Sequence, residues 1–270
     1  MKSLHTEELA IALIQMDIVW ENKEANLFNY NQTIDTLKQE HPGIDLIILP
    51  EMFSTGFTMN PAPVAETMQS ATVEWMKEIS ADYEVALCGS LIIEENGKFY
   101  NRFVFVKPDH SLVYYDKKHL FAFAGEDEFF EAGNEQVNLI YKGWSINLFI
   151  CYDLRFPVWC KNTNLADLMI FVANWPDKRI HHWKALLPAR SIENQCFVIG
   201  MNRLGTDAND LSYSGQSSIY DPTGNNILNM ESKDGYAVCL LHKNMIAETR
   251  DKTPFWKDWD SFVLNGLQEQ

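Results

Sequence analysis

Three things are scarce in this 270-residue chain, and each scarcity removes a class of protein. No apolar run approaches the roughly 18 to 20 residues that cross a bilayer as a helix. Runs such as Leu46-Ile47-Ile48-Leu49 and Leu168-Met169-Ile170-Phe171-Val172 have the length of buried strands. Cationic side chains are in short supply: 22 Lys and Arg face 37 Asp and Glu, a formal charge of −15. Phosphate contacts to nucleic acid and polybasic attachment to a membrane surface both need clustered Lys and Arg, so neither partner is expected. Cysteine is sparse too. Cys88, Cys151, Cys160, Cys196 and Cys239 form an odd set without CxxC spacing and read as free thiols of a reducing compartment. Glu7 and Glu8 fall where a secretory leader needs its apolar stretch, so a cytoplasmic protein without a leader is expected.

What is present is the raw material of a large core, with 46% hydrophobic residues and no excess of Gly or Pro. Short β-branched apolar runs predict strands at 10–16, 46–49, 85–93, 103–106, 144–151, 168–173, 197–202 and 217–220. Helical spacing of apolar residues predicts helices over 22–40, 72–83 and 183–193. Asn96-Gly97 between two strand runs signals a hairpin, and Asp221-Pro222-Thr223-Gly224 a second tight turn. Neither a linker nor a repeat interrupts the pattern. A single α/β domain with mixed sheets follows, and a two-sheet α-β-β-α sandwich is consistent with it.

Three places combine a strand end with reactive chemistry. Cys151 closes the run Ser145 to Ile150 and is followed at once by the polar turn Tyr152-Asp153-Leu154-Arg155. Open α/β sheets present functional groups at the C-terminal ends of strands, although most free cysteines are small core hydrophobes. Glu51 lies just past Leu46 to Leu49 and Pro50, where a solvated carboxylate is the ordinary expectation. Lys117, Lys118 and His119 follow the strand-like stretch Leu112 to Tyr115, and a solvated basic turn is again the default. His181-His182 make a poor metal pair, because helical chelation uses i, i+4 spacing. The chain also has no HExxH or CxxC set, so neither metal nor cofactor is expected.

Taken in order, Pro50-Glu51, Tyr115-x-Lys117-x-His119-Leu120-Phe121 and Cys151-Tyr152-Asp153-Leu154-Arg155-Phe156-Pro157 resemble the nitrilase (carbon–nitrogen hydrolase) superfamily. The likeness runs from Gln15 and Trp20 to the Phe255-Trp256-x-Asp258 segment. Leu49 to Phe57 and Ala173-Asn174-Trp175-Pro176 are similar to the bacterial, YafV-like ω-amidase subgroup, which acts on 2-oxoglutaramate and 2-oxosuccinamate. The resemblance implies a four-layer α-β-β-α sandwich and a catalytic triad on Glu51, Lys117 and Cys151. It places a second acid at Glu126, seven residues before Gly133, with Asp127 and Glu128 close by. Tyr152, Trp175, Phe57 and Met52 are the expected pocket residues, and Arg155 is expected to be a structural partner near the elbow.

The triad suits amide hydrolysis. An amide carbonyl is a poor electrophile that needs an activated nucleophile and stabilisation of the oxyanion. The resemblance thus implies an ω-amidase that hydrolyses the terminal amide of 2-oxoglutaramate or 2-oxosuccinamate to 2-oxoglutarate or oxaloacetate and ammonia through a Cys thioester, with N-carbamoyl amino acids, deaminated glutathione or other carboxamides as alternatives on the same triad. A protein keeping the fold only to bind is the alternative from another class. The resemblance further implies a homodimer or larger homo-oligomer. The core spans about 10–245, and the tail 246–270, with Phe255, Trp256 and Trp259, is expected at an interface.

Overall fold

A computed structural model of the protein describes residues 7–264. Residues 1–6, part of the segment read for a leader, and residues 265–270 of the expected tail lie outside the described residues.

The first sheet contains β1 (Glu8–Gln15), β2 (Leu46–Ile48), β3 (Ala86–Glu95), β4 (Lys98–Val106) and β5 (Leu112–Asp116). The second is built from β6 (Asn138–Tyr141), β7 (Trp144–Ile150), β8 (Leu168–Val172) and β9 (Phe197–Met201). A small ribbon, β10 (Leu204–Thr206) with β11 (Ser212–Ser214), precedes β12 (Ser218–Tyr220), β13 (Asn226–Asn229) and β14 (Gly235–His242). The spatial orders are β14-β1-β2-β3-β4-β5 and β13-β12-β9-β8-β7-β6. In each sheet three neighbouring strands run parallel, β1-β2-β3 and β7-β8-β9, and antiparallel strands flank them. The helices are α1 (Lys23–Glu40), α2 (Ala71–Asp82), the short α3 (Glu126–Phe129), α4 (Ile180–Asn194) and α5 (Asn244–Lys252).

Burial explains the layering. Leu46 and Ile48 of β2 face the second sheet, where Ile146, Leu148, Ile150 and Ile170 meet them. Between them Ile47 points the other way, onto Tyr30, Ile34 and Leu37 of α1 and Val73, Met76 and Ile79 of α2. Such a strand is apolar on both faces, which is why it shows no alternation in sequence. Trp183 and Leu187 of α4 cover the far side of the second sheet. The order helices, sheet, sheet, helix is the four-layer sandwich expected from the sequence.

Local signals act where they stand. Asn22 caps α1, its side chain accepting from the Ala25 N–H at 3.1 Å. At the β3–β4 hairpin Asn96 (φ 55°) and Gly97 (φ 74°) are both left-handed, as a two-residue turn of that twist requires. The strand β14 was not anticipated. It comes back from the far end of the chain to pair antiparallel with β1 from Gly235↔Gln15 to His242↔Glu8. Of the aromatics expected on an exposed tail, only Phe255 is exposed. Trp256 and Trp259 are half-buried, Trp259 beneath the Lys161 ammonium, 3.6 Å from its ring centre.

Candidate active site

The site lies at the C-terminal ends of the central parallel strands, where the chain leaves each sheet. Past β2 the chain runs through Leu49 and Pro50 to Glu51, which is fully buried. Met52 then adopts φ 44°, its N–H donating to Ser90 Oγ at 2.9 Å. That turn carries Glu51 toward the space between the sheets and sends Met52 elsewhere. Met52 is buried among Val64, Ile92 and Phe130 and does not line the cavity, contrary to the expectation of a pocket wall.

Lys117 arrives by alternation along β5. Tyr115 is buried in the core, Asp116 takes the opposite face and binds Arg102 through two hydrogen bonds (2.7 and 2.8 Å), and Lys117 is buried again. Its Nζ lies 2.9 Å from Glu51 Oε1 and 2.9 and 2.8 Å from the two carboxylate oxygens of Glu126. Lys118 instead reaches over the Trp159 ring. Glu126 opens α3 behind left-handed Gly125 and also accepts the Phe121 N–H at 2.6 Å. Its neighbours Asp127 and Glu128 are exposed.

Cys151 follows β7 with φ 43°, a left-handed conformation that costs a non-glycine residue about 1–3 kcal/mol. Asp153 holds that bend in place. Its carboxylate is fully buried and accepts from the Ile150 N–H (3.0 Å), the Tyr115 hydroxyl (2.7 Å) and the His119 N–H (3.0 Å). His119 Nδ1 lies 2.8 Å from the same carboxylate, and its ring stacks on Phe156. Tyr115 and His119 thus bracket Lys117 in sequence and tie the lysine loop to the cysteine loop.

Two residues that sequence reasoning missed complete the cluster. Asn101, in the middle of β4, donates to Glu51 Oε1 (2.8 Å) and Glu126 Oε1 (3.1 Å), while its own oxygen accepts from Ser90 Oγ (2.8 Å). A lone amide in the apolar strand Phe99 to Val106 is the signal that would have found it. Asn174, just past β8, donates its backbone N–H to Glu51 Oε2 (2.7 Å) and its side-chain amide to the Glu51 carbonyl (2.6 Å).

Electrostatics sort these groups. Burial pulls the Lys117 pKa down, but Glu126 and then Glu51 more than reverse it, and the group is held above the usual lysine range as an ammonium. Burial raises the Glu126 pKa against the lowering pull of Lys117. The Cys151 thiol is pushed well above its ordinary value, first by burial and then by the Glu51 charge, with Lys117 opposing. At rest it is a thiol, and a base must take its proton.

In front of the cluster opens a cavity of about 580 Å³. Lys117 and Cys151 reach it from the inner side, and Phe57, Phe121, Tyr152, Trp175 and Tyr213 supply aromatic walls. Trp175 is fixed by its indole N–H, which donates to the Arg179 carbonyl at 2.8 Å, and carries the Arg155 guanidinium 4.6 Å from its ring centre. Arg155 therefore lines the cavity rather than serving the elbow from behind. His181 and His182 lie ring to ring, and among the described residues no cluster of three or more His, Cys, Asp or Glu is placed to hold a metal.

A model of the family described as "Carbon-nitrogen hydrolase" matches residues 10–251. This chain belongs to the carbon–nitrogen hydrolase family. It is 39% identical over 257 residues to "Omega-amidase YafV" of Escherichia coli (strain K12), covering 95% of this chain and 98% of that protein. It is 30% identical to a "2-oxoglutaramate amidase" of Bacillus subtilis (strain 168), across 92% of this chain and 96% of the relative. Among solved structures, XC1258 from Xanthomonas campestris, a CN-hydrolase superfamily protein with an arsenic adduct in its active site, matches with a TM-score of 0.92. That match has 38% identity and covers 96% of this chain and 99% of the other. A carbon–nitrogen hydrolase is an enzyme acting on amides, and the nitrilase-superfamily sandwich is its fold.

Proposed function

We propose that this protein is an ω-amidase that converts 2-oxoglutaramate or 2-oxosuccinamate to 2-oxoglutarate or oxaloacetate and ammonia. The observation that carries this reading is a thiol facing an aromatic cavity beside a buried Glu–Lys–Glu cluster, in a hydrolase whose relatives include ω-amidases.

In the proposed reaction Glu51 takes the Cys151 proton as sulfur attacks the terminal carboxamide carbon. The oxyanion is held by the Lys117 ammonium and the Tyr152 backbone N–H, which lies in the first turn of the 3₁₀ segment Cys151–Arg155. Glu51 returns the proton to nitrogen, the C–N bond breaks, ammonia departs and a thioester remains on Cys151. Glu51 then removes a proton from water, hydroxide attacks the thioester, and the carboxylic acid leaves with sulfur reprotonated. Glu126 orients Lys117 and keeps it charged, and Asn101 bridges the two carboxylates with its amide. Trp175, Phe57 and Tyr152 form the substrate walls.

The same reading takes the chain as one hydrolase domain with a core over about 10–245 and a tail from 246 at a homodimer or larger interface, working in the cytoplasm. Exposed Phe255 and Val158 and a concentration of aromatic side chains near the tail support an interface there. No described helix is long and apolar enough to cross a membrane.

Ammonia release from 2-oxoglutaramate by the purified protein, with Cys151→Ala as control, tests the proposal. Release that disappears in the variant supports substrate and nucleophile together. No release by protein that still reacts with a thiol probe at Cys151 sinks the substrate, and release that survives the variant sinks the mechanism.

A further inference from the structure

The chain has six arginines, and their partners divide them sharply. Arg102, Arg190 and Arg203 each bind carboxylates, and Arg250 donates to the carbonyls of Leu165, Ala166 and Gln195. Arg155 and Arg179 have no such anchor among the described residues. Both line the substrate cavity, and their guanidinium groups meet only aromatic faces, Arg155 over Trp175 at 4.6 Å and Arg179 over Phe121 at 5.1 Å.

Two acids share the cavity, and neither serves these cations. Glu21 accepts the Thr58 hydroxyl at 2.6 Å. Asp207 accepts the Tyr213 hydroxyl at 2.8 Å and the backbone N–H groups of Asn209 and Leu211. In a chain with a formal charge of −15, two neighbouring guanidiniums left without a carboxylate are unusual company. Like charges brought together on apolar walls repel each other, and an anion placed between them relieves both. Arg179 also caps the N-terminal end of α4, a 15-residue helix whose dipole adds positive potential there.

We propose that Arg179, acting with Arg155, is a specificity-determining residue that binds the substrate's carboxylate and so restricts the site to amides carrying an anion away from the scissile carbonyl. This rests on the ω-amidase reading, whose substrates have such a carboxylate. The two arginines come from different loops, Arg155 from the bend after β7 and Arg179 from the segment leading into α4. Trp175 couples them, since its ring carries one guanidinium while its N–H fixes the other residue's backbone. The carboxylate is read at the aromatic wall, and the amide is left to face Cys151 and Lys117.

The test compares 2-oxoglutaramate with its methyl ester, which keeps the amide and the oxo group but loses the negative charge. In steady-state ammonia release, Arg179→Gln should raise KM for the acid about 30-fold, with kcat within about threefold and the ester unaffected. Arg179→Lys should recover part of the loss. Calorimetry on the Cys151→Ala protein reads the same contact without turnover, and adding Arg179→Gln should weaken the acid and leave the ester alone. Equal effects on acid and ester, or none on either, overturn the inference while leaving the ω-amidase standing. A wild-type enzyme that neither hydrolyses the acid nor, as Cys151→Ala, binds it overturns both. Unchanged thermal midpoints separate a binding role from a folding one.

Discussion

The inner and outer halves of the cavity handle charge in opposite ways. Inside, Glu51, Lys117, Glu126 and Asn101 are dry, and Lys117 alone makes three contacts of 2.8–2.9 Å to carboxylate oxygens. Outside, Arg155 and Arg179 rest on aromatic rings with no acid attached. A closed set of partners fixes one geometry and one protonation pattern before substrate arrives. An open set leaves binding capacity for something that is not protein. Chemistry and recognition are thus separated by how completely each half satisfies itself.

Substitutions should widen that contrast or erase it. The largest effect is expected at Cys151, where Cys151→Ala should release no ammonia above background in an assay of the folded protein. Glu51→Gln comes next, with turnover falling about 10²–10⁴-fold as the base is lost. The same change should make resting Cys151 easier to alkylate. Glu51 helps lift the thiol's pKa, so removing its charge lowers that pKa and brings the thiolate rate up at a lower pH. Iodoacetamide rates measured from pH 6 to 10 check this, and a profile that stays with wild type would remove Glu51 from contact with the thiol.

Neighbouring lysines give the sharpest control. Lys117→Ala leaves two buried carboxylates facing each other and should cost about 3–5 kcal/mol of stability in urea unfolding, together with activity. Lys118→Ala touches only a surface cation–π contact and should stay within about 0.5 kcal/mol. Between them, Asn101→Ala strips one donor shared by Glu51 and Glu126 and should cost about 1–3 kcal/mol. If Asn101→Ala were neutral in both melting and turnover, the inner half would not be the closed unit described above.

Much of this is legible in the sequence. The strand ends that carry Glu51 and Cys151 could be read from apolar runs, and the motif around Lys117 singled it out from Lys118. The helix Lys23–Glu40 is legible in the helical spacing over 22–40. Other features depend on geometry that no pattern carries. Met52 is expected in the pocket wall, but its left-handed backbone turns it into the core. Asn101 and Ser90 sit inside strands whose apolar neighbours dominate any local reading. Arg179 lies three residues beyond the motif ending at Pro176, and its lack of a carboxylate partner among the described residues is visible only in the folded structure. The strand β14 escaped because its pairing partner lies more than two hundred residues away, and its half-exposed residues show little contrast between faces.

That last pairing bears on how the protein is made. The strand Glu8–Gln15 has a neighbour on one edge, Gly235–His242, that is synthesised more than two hundred residues after it. Until those residues emerge, that hydrophobic edge stands unpaired, open to any other extended chain. Nascent chains stalled before Gly235 should therefore be cleaved readily by protease and captured by holdase chaperones, whereas chains extended past His242 should resist both. Equal protection of the two lengths would mean that the sheet closes by some other route. A mutation that weakens this late clasp would act on yield in the cell far more than on the turnover of the molecules that survive.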